Sequence, residues 1–126
     1  MVGVVVVSRS AEIARGVVEL AGQMAGDEVR LEGAGGDSHG TLGTDERRVR
    51  EAIRRADDGD GVALLADLGS AVLTIRHILE SGDGGVKLAD APVVEGAVAA
   101  AVVASMGLPL DDVVKAAEEA RDAHKL

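Results

Sequence analysis

The chain contains no cysteine and no phenylalanine, tryptophan or tyrosine, and only two prolines among its 126 residues. Without cysteine neither a disulfide framework nor a thiolate metal site can form, which agrees with a cytoplasmic setting. Without aromatic rings the core must be built from Val, Leu, Ala and Ile, and platforms for stacking nucleic-acid bases are excluded. Basic charge is also scarce. Asp and Glu number 22 against 13 Lys and Arg, a formal net charge of −9. Nucleic-acid binding through a basic stripe is therefore not expected. Basic residues do gather at Arg47, Arg48, Arg50, Arg54 and Arg55, but interleaved with Asp45, Glu46 and Glu51, which predicts a solvated, salt-bridged helix face.

Long apolar runs are missing too. The stretch Ala91 to Leu108 is interrupted by Glu95 and Ser105 and by Pro92, Gly96 and Gly107, too short and too broken for a membrane span. Met1 to Val7 is apolar but lacks the basic start and small-residue cleavage site of a signal peptide. The length suits one domain, residues 1–126, with a single core.

What is present is a first strand of about Gly3 to Val7 whose four consecutive valines, Val4 to Val7, cannot alternate inside and outside. Such a run suits a strand buried on both faces, in the middle of a parallel sheet. It delivers Ser8, Arg9 and Ser10 to the carboxyl end, where ligands bind in open α/β sheets. A helix follows from Ser10, a good N-cap, to Gly26, a good stop. A short strand at about Glu28 to Glu32 leads into a glycine-dense loop, Gly33 to Gly43. Thr44 then reads as the N-cap of a helix running to about Ala56, with a turn at Asp57 to Gly61. A third apolar strand, Gly61 to Ala66, ends in Asp67-Leu68-Gly69-Ser70, and a helix runs from Ser70 to about Glu80. A glycine turn at Ser81 to Gly85 precedes a short strand at Val86 to Ala89. Val93 to about Met106 is a helix apolar nearly all round, to be buried or to form a subunit contact. Leu110 to His124 is a last amphipathic helix. The alternation predicts an α/β fold: three α/β/α layers around a mainly parallel sheet of about four strands.

Several chemistries are excluded by their motifs. The glycine loop lacks the lysine of a P-loop and follows the second strand, and no G-x-G-x-x-G opens the first helix. Its glycines and Thr44 still allow backbone N–H groups to approach an anion. Asp67 is placed to orient an imidazole, to hold a metal or to cap the Ser70 helix. Capping ranks slightly ahead, and a metal last, since no acid or histidine has ligand spacing with it. Of the histidines, His77 and His124 read as structural, the latter at a helix C-terminus that favours a cation. His39 alone lies in a loop that reaches the strand ends. No Ser-His-Asp arrangement is suggested around Ser8, Ser10 or Ser70.

The stretch V-G-V-V-V-V-S-R-S-A-E-I-A-R-G-V-V-E-L-A-G-Q-M resembles the opening of the phosphotransfer subunits of phosphoenolpyruvate-dependent dihydroxyacetone kinases, a branch of the mannose-type IIA family. Ala34-Gly35-Gly36, Gly43-Thr44, Asp67-Leu68-Gly69-Ser70-Ala71 and Val86 to Ala97 continue the resemblance in order over the whole chain. The D-L-G-S-A and A-P-V-V-E-G-A blocks together are its most specific part, and the second favours the dihydroxyacetone branch. The resemblance implies a histidine after the first strand that takes a phosphoryl group from the carrier HPr and passes it to ADP on the nucleotide-binding subunit of the kinase. It implies that Asp67 hydrogen-bonds that imidazole. It also implies that Gly35, Gly36, Thr44, Gly69 and Ser70, with Ser8 and Ser10, surround the phosphate. It further implies a homodimer and no bound cofactor or metal.

The chain departs from the family at the decisive place: V-S-H-S is here Val7-Ser8-Arg9-Ser10. Phosphoryl acceptance needs a nitrogen lone pair, and a guanidinium stays protonated and only donates. Beside Asp67 it would most simply form a bidentate ion pair. Three readings follow: a competent carrier whose histidine is replaced, a catalytically silent anion- or partner-binding relative, or a carrier that uses His39. The first is favoured and the third ranks last, since nothing fixes His39 beside Asp67. Separately, high acidity with ten arginines and three lysines suits a halophilic, salt-rich cytoplasm. Dialysis into low-salt buffer, followed by circular dichroism, should then unfold the chain; full stability there would overturn the expectation.

Overall fold

The computed structural model describes residues 1–82 and 84–126. Four parallel strands form one sheet in the order β2-β1-β3-β4, where β1 is Gly3–Ser8, β2 Leu31–Gly35, β3 Val62–Ala66 and β4 Val86–Leu88. The helices are α1, Ala11–Ala25; α2, Glu46–Ala56; α3, Gly69–Glu80; α4, Val93–Ser105; and α5, Leu110–Glu119. Helices α1, α4 and α5 cover one face and α2 and α3 the other, giving the expected three layers. Among the described residues no helix is long and apolar enough to cross a membrane.

The valine run explains the order. All six residues of β1 are buried, and their side chains alternate between layers. Val4 and Val6 pack with Val17, Ala21, Leu65, Ala97 and Ala101 on one face. Val5 and Val7 pack with Val49, Ala52, Leu64 and Ile75 on the other. A strand with two apolar faces is best buried in the interior of the sheet, and β1 pairs with both β2 and β3.

Helix α4 is the apolar helix of the sequence, and its small face, Gly96, Ala97, Ala100, Ala101 and Ala104, is fully buried against the core. Small residues there let α4 approach the sheet closely; Leu65 lies 3.2 Å from where a Cβ on Gly96 would be.

Several boundaries differ from the sequence reading. The second strand is Leu31–Gly35, not Glu28 to Glu32, so it includes glycines expected in the loop. Those glycines fit close packing: a Cβ on Gly35 would lie 2.5 Å from the Ser10 carbonyl oxygen and 2.7 Å from Ala11 Cα. Helix α2 is capped by Asp45, whose side chain accepts the Arg47 N–H, rather than by Thr44. Thr44 is instead held by its backbone in a parallel bridge to Gly36. The last helix ends at Glu119 and continues only as a short 3₁₀ turn, Ala120–Asp122, so His124 lies beyond it and completes no helix end. The fourth strand stops at Leu88, one residue before the buried Ala89. Asp83, in the expected glycine turn, lies outside the described residues.

Two glycine-to-alanine changes should separate packing from helix propensity in urea unfolding. Gly35→Ala drives a methyl group into the backbone of Ser10 and Ala11 and should cost about 1–3 kcal/mol. Gly16→Ala on α1 meets nothing within 4 Å and should stabilise by about 0.5–1 kcal/mol.

Candidate functional site

The carboxyl ends of β1, β2 and β3 bring together Ser8-Arg9-Ser10, the loop after Gly35, and Asp67 to Ser70, which is the convergence the sequence predicts. Ser8 anchors it. Its side chain is fully buried, and its hydroxyl donates to Asp67 Oδ2 at 2.6 Å while accepting the Ser10 N–H at 3.0 Å. A buried hydroxyl left unpaired would cost about 1–3 kcal/mol; here both functions are used. Ser10 caps α1, its Oγ accepting the Ile13 N–H at 3.2 Å.

Asp67 does not cap α3. The cap position is Leu68, with no side-chain bond. Asp67 stands one residue too early and its Oδ1 accepts the Leu68 N–H at 2.7 Å. The bidentate pair expected between Arg9 and Asp67 does not form either. Each carboxylate oxygen of Asp67 accepts one hydrogen bond, from the Ser8 hydroxyl and from the Leu68 N–H, and keeps a lone pair to spare. The exposed Arg9 side chain reaches across to α3, where Nη1 donates to Ser70 Oγ at 3.4 Å.

The backbone of Arg9 is held more firmly than its side chain. Its carbonyl accepts the N–H of Gly36 at 3.2 Å and of Gly43 at 2.9 Å, tying both ends of the glycine loop to the end of β1. Gly36 sits at φ 78° and Gly43 at φ 156°, conformations that favour glycine. Thr44 Oγ1 is buried and, among the described residues, has no hydrogen-bond partner.

Asp37 organises the loop, a role the sequence reading missed. Its Oδ1 accepts the N–H groups of His39 and Thr41, each at 2.9 Å, and its Oδ2 accepts the Thr41 hydroxyl at 2.6 Å. An aspartate opening a glycine-rich turn and bonding the N–H two residues on is the signal that could have found it. His39 lies exposed on this loop, its N–H turned to Asp37, and its ring makes no hydrogen bond among the described residues. The exposed apolar side chains Ile13, Leu42 and Leu68 come from the first turn of α1, the glycine loop and the start of α3, each close in sequence to the site residues.

The hydroxyl and N–H of Thr41, helped by the N–H and charge of His39, hold the Asp37 carboxyl down to about 2 from an ordinary 3.8. A depressed carboxyl contributes stability that is complete above its unfolded value and lost as pH falls through its folded value. The His39 and Thr41 amide resonances should therefore keep their positions down to about pH 3 and move only as pH approaches 2, and Asp37→Asn should abolish that transition. Loss of the loop near pH 4 would overturn this account of it.

Comparison with known proteins bears on what such a site serves. The family described as the PTS system fructose IIA component, EIIA-man, matches residues 3–114. The phosphoryl donor subunit DhaM of the PEP-dependent dihydroxyacetone kinase of Klebsiella michiganensis is 39% identical over 133 residues, covering 100% of this chain and 28% of that protein. The DhaM subunit of Escherichia coli is also 39% identical, over 99% of this chain and 28% of its own length. The chain thus spans little more than a quarter of those two relatives. A shorter relative, from Listeria innocua and also named a DhaM phosphoryl donor subunit, is 35% identical over 81% of this chain and 85% of its own. Among solved structures, the phosphotransferase component EIIA of Streptococcus agalactiae superposes with a TM-score of 0.71 over 97% of this chain and 93% of its own, at 19% identity, a likeness of fold. The chain belongs to the mannose-type IIA family of the phosphotransferase system, with the DhaM phosphoryl donor subunits among its relatives.

Proposed function

We propose that residues 1–126 are a phosphoryl-carrier domain of a cytoplasmic, phosphoenolpyruvate-dependent dihydroxyacetone kinase, serving glycerol metabolism. In it, position 9 is the seat of the phosphoacceptor and Arg9 leaves the domain inactive. The observation that carries this reading is the support around position 9. The residue-9 carbonyl is clamped by two glycine N–H groups, and the neighbouring Ser8 is locked to Asp67. None of those bonds uses the Arg9 side chain. A histidine here would find the same backbone setting, with Asp67 and Ser70 on the adjoining strand end and helix.

In the competent form HPr donates. The bond from phosphorus to its histidine breaks as a new one forms to the imidazole at position 9, and the group then passes to ADP on the nucleotide-binding subunit. Asp67 fixes the imidazole tautomer. Gly35, Gly36, Thr44, Gly69, Ser70, Ser8 and Ser10 furnish the polar surroundings of the phosphate. Among the described residues the first N–H groups of α3, at Gly69 and Ser70, have no hydrogen-bond partner, and a helix N-terminus of this kind favours an anion. Exposed Ile13, Leu42 and Leu68 give two successive protein partners an apolar rim to dock on. The domain works as a homodimer.

Two observations favour a second reading, that of a catalytically silent anion-binding relative. The Arg9 guanidinium already lies beside Ser70 at that helix end, 3.4 Å from its hydroxyl, and the Thr44 hydroxyl is unpaired among the described residues.

The two are separated by incubating the chain and its Arg9→His variant with phosphoenolpyruvate, the general phosphotransferase enzyme and HPr, and measuring acid-labile phosphate by intact mass. The variant should gain one phosphoryl group and the native chain none. Phosphate on neither would sink the carrier reading. Phosphate on the native chain, lost in His39→Ala, would move the acceptor to the loop. Shifts of the Gly69 and Ser70 amides by inorganic phosphate in the native chain, with no phosphorylation of the variant, would favour the silent relative.

A further inference from the structure

The second strand is an edge strand, and its outer side opens into a groove of about 820 Å³ between α1 and α2. The Val4 N–H donates to the Arg30 carbonyl at 2.9 Å. In a parallel ladder alternate residues face the same neighbour, so Arg30, Glu32 and Ala34 face β1. Leu31, Gly33 and Gly35 then direct their N–H and C=O groups outward. None of these six groups has a hydrogen-bond partner among the described residues. Gly33 is exposed, and neither it nor Gly35 has a side chain to obstruct the edge.

The flanks carry charge. Arg15 of α1 lies on one side, and Arg47 and Arg48 of α2 on the other. The sequence predicts a salt-bridged face for α2, yet only part of it forms. Arg50 pairs with Glu46 at 3.1 Å and Arg55 with Glu32 at 2.8 Å. Among the described residues Arg15, Arg47 and Arg48 have no carboxylate within ion-pair distance. Of the carboxylates in the groove, Glu32 is taken by Arg55 and Asp45 by the helix cap, leaving Glu51. The molecule as a whole is acidic, but charges more than about 8 Å away are largely screened at physiological salt, so the local arginines decide what binds here.

A small anion does not answer this surface. It only accepts hydrogen bonds, whereas the edge offers three carbonyls as well as three N–H groups. An extended peptide backbone answers both, and its alternating side chains point toward the two helices in turn. We propose that the free edge of β2 docks an extended, acidic segment of a partner protein as a fifth strand, with Arg15 on one flank and Arg47 and Arg48 on the other holding its carboxylates.

The test is a titration of the ¹⁵N-labelled chain with a capped pentapeptide of alternating glutamate and valine. The amides of Leu31, Gly33 and Gly35 should shift and exchange more slowly. The double variant Arg47→Glu/Arg48→Glu, altered only at exposed positions, should bind roughly tenfold more weakly, the scale of reversing two exposed charge pairs. The same peptide N-methylated at alternate residues keeps its charge but cannot complete a ladder, and should not bind. Four results would overturn the proposal. They are equal binding of the N-methylated peptide, equal binding of a lysine-for-glutamate peptide, no change at those three amides at millimolar peptide, and protection of those amides by self-association of the chain alone.

Discussion

Everything in this molecule depends on burying β1 from both sides with small side chains. A fully buried valine is worth about 1.5–3 kcal/mol relative to exposure, whereas an exposed ion pair contributes about 0–1 kcal/mol. The valines of β1 therefore outweigh the surface ion pairs joining the N-terminus, α2 and the C-terminal segment to their neighbours. With no aromatic ring to fill space, the layers must come close together. That need explains the alanine face of α4 and Gly35 of β2, where a side chain would strike the backbone at the start of α1. The same closeness carries the polar residues after β1 into register with those after β3.

Much of this was legible in the chain itself. The valine run announced a central strand, and Ser10 and Gly26 marked both ends of α1 correctly. The three strand ends that converge are the expected ones. Where the reading strayed, a local rule lost to a tertiary one. Glycines at 33 and 35 look like loop by propensity, but both serve as strand: α1 leaves no room for a side chain at Gly35 and only a tight fit for one at Gly33. Thr44 and Asp45 are equally good caps in isolation, and the bridge to Gly36 decides between them. At the site, charge suggested that Arg9 and Asp67 would pair. Instead the buried Ser8 hydroxyl, which must find an acceptor, takes one oxygen of Asp67, and the exposed Arg9 is free to reach Ser70. Burial of a hydroxyl is not visible in a string of residues, so that preference could not be read there. Nor could the absence of partners for Arg15, Arg47 and Arg48, since spacing along a helix does not say which carboxylates are already used.

The site separates scaffold from reagent. Hydrogen bonds donated by Ser8, accepted by the residue-9 carbonyl and accepted by Asp37 fix the framework through atoms that do not depend on what side chain stands at position 9. A substitution there leaves those bonds intact and changes only what the exposed end of the strand presents.

The parallel order of the sheet also has a kinetic side. Strand β1 pairs with residues about sixty positions away, as the Ser8 to Asp67 bond, 59 residues apart in sequence, makes plain. No hairpin shortens that search, because parallel strands need a crossover between them. Folds dominated by such distant pairings close slowly, since loop entropy is lost before the contact rewards it. During synthesis the valine strand must wait for β3 to emerge before its second edge is covered. The polar cluster that joins the two strand ends cannot assemble until the chain through Ser70 is available.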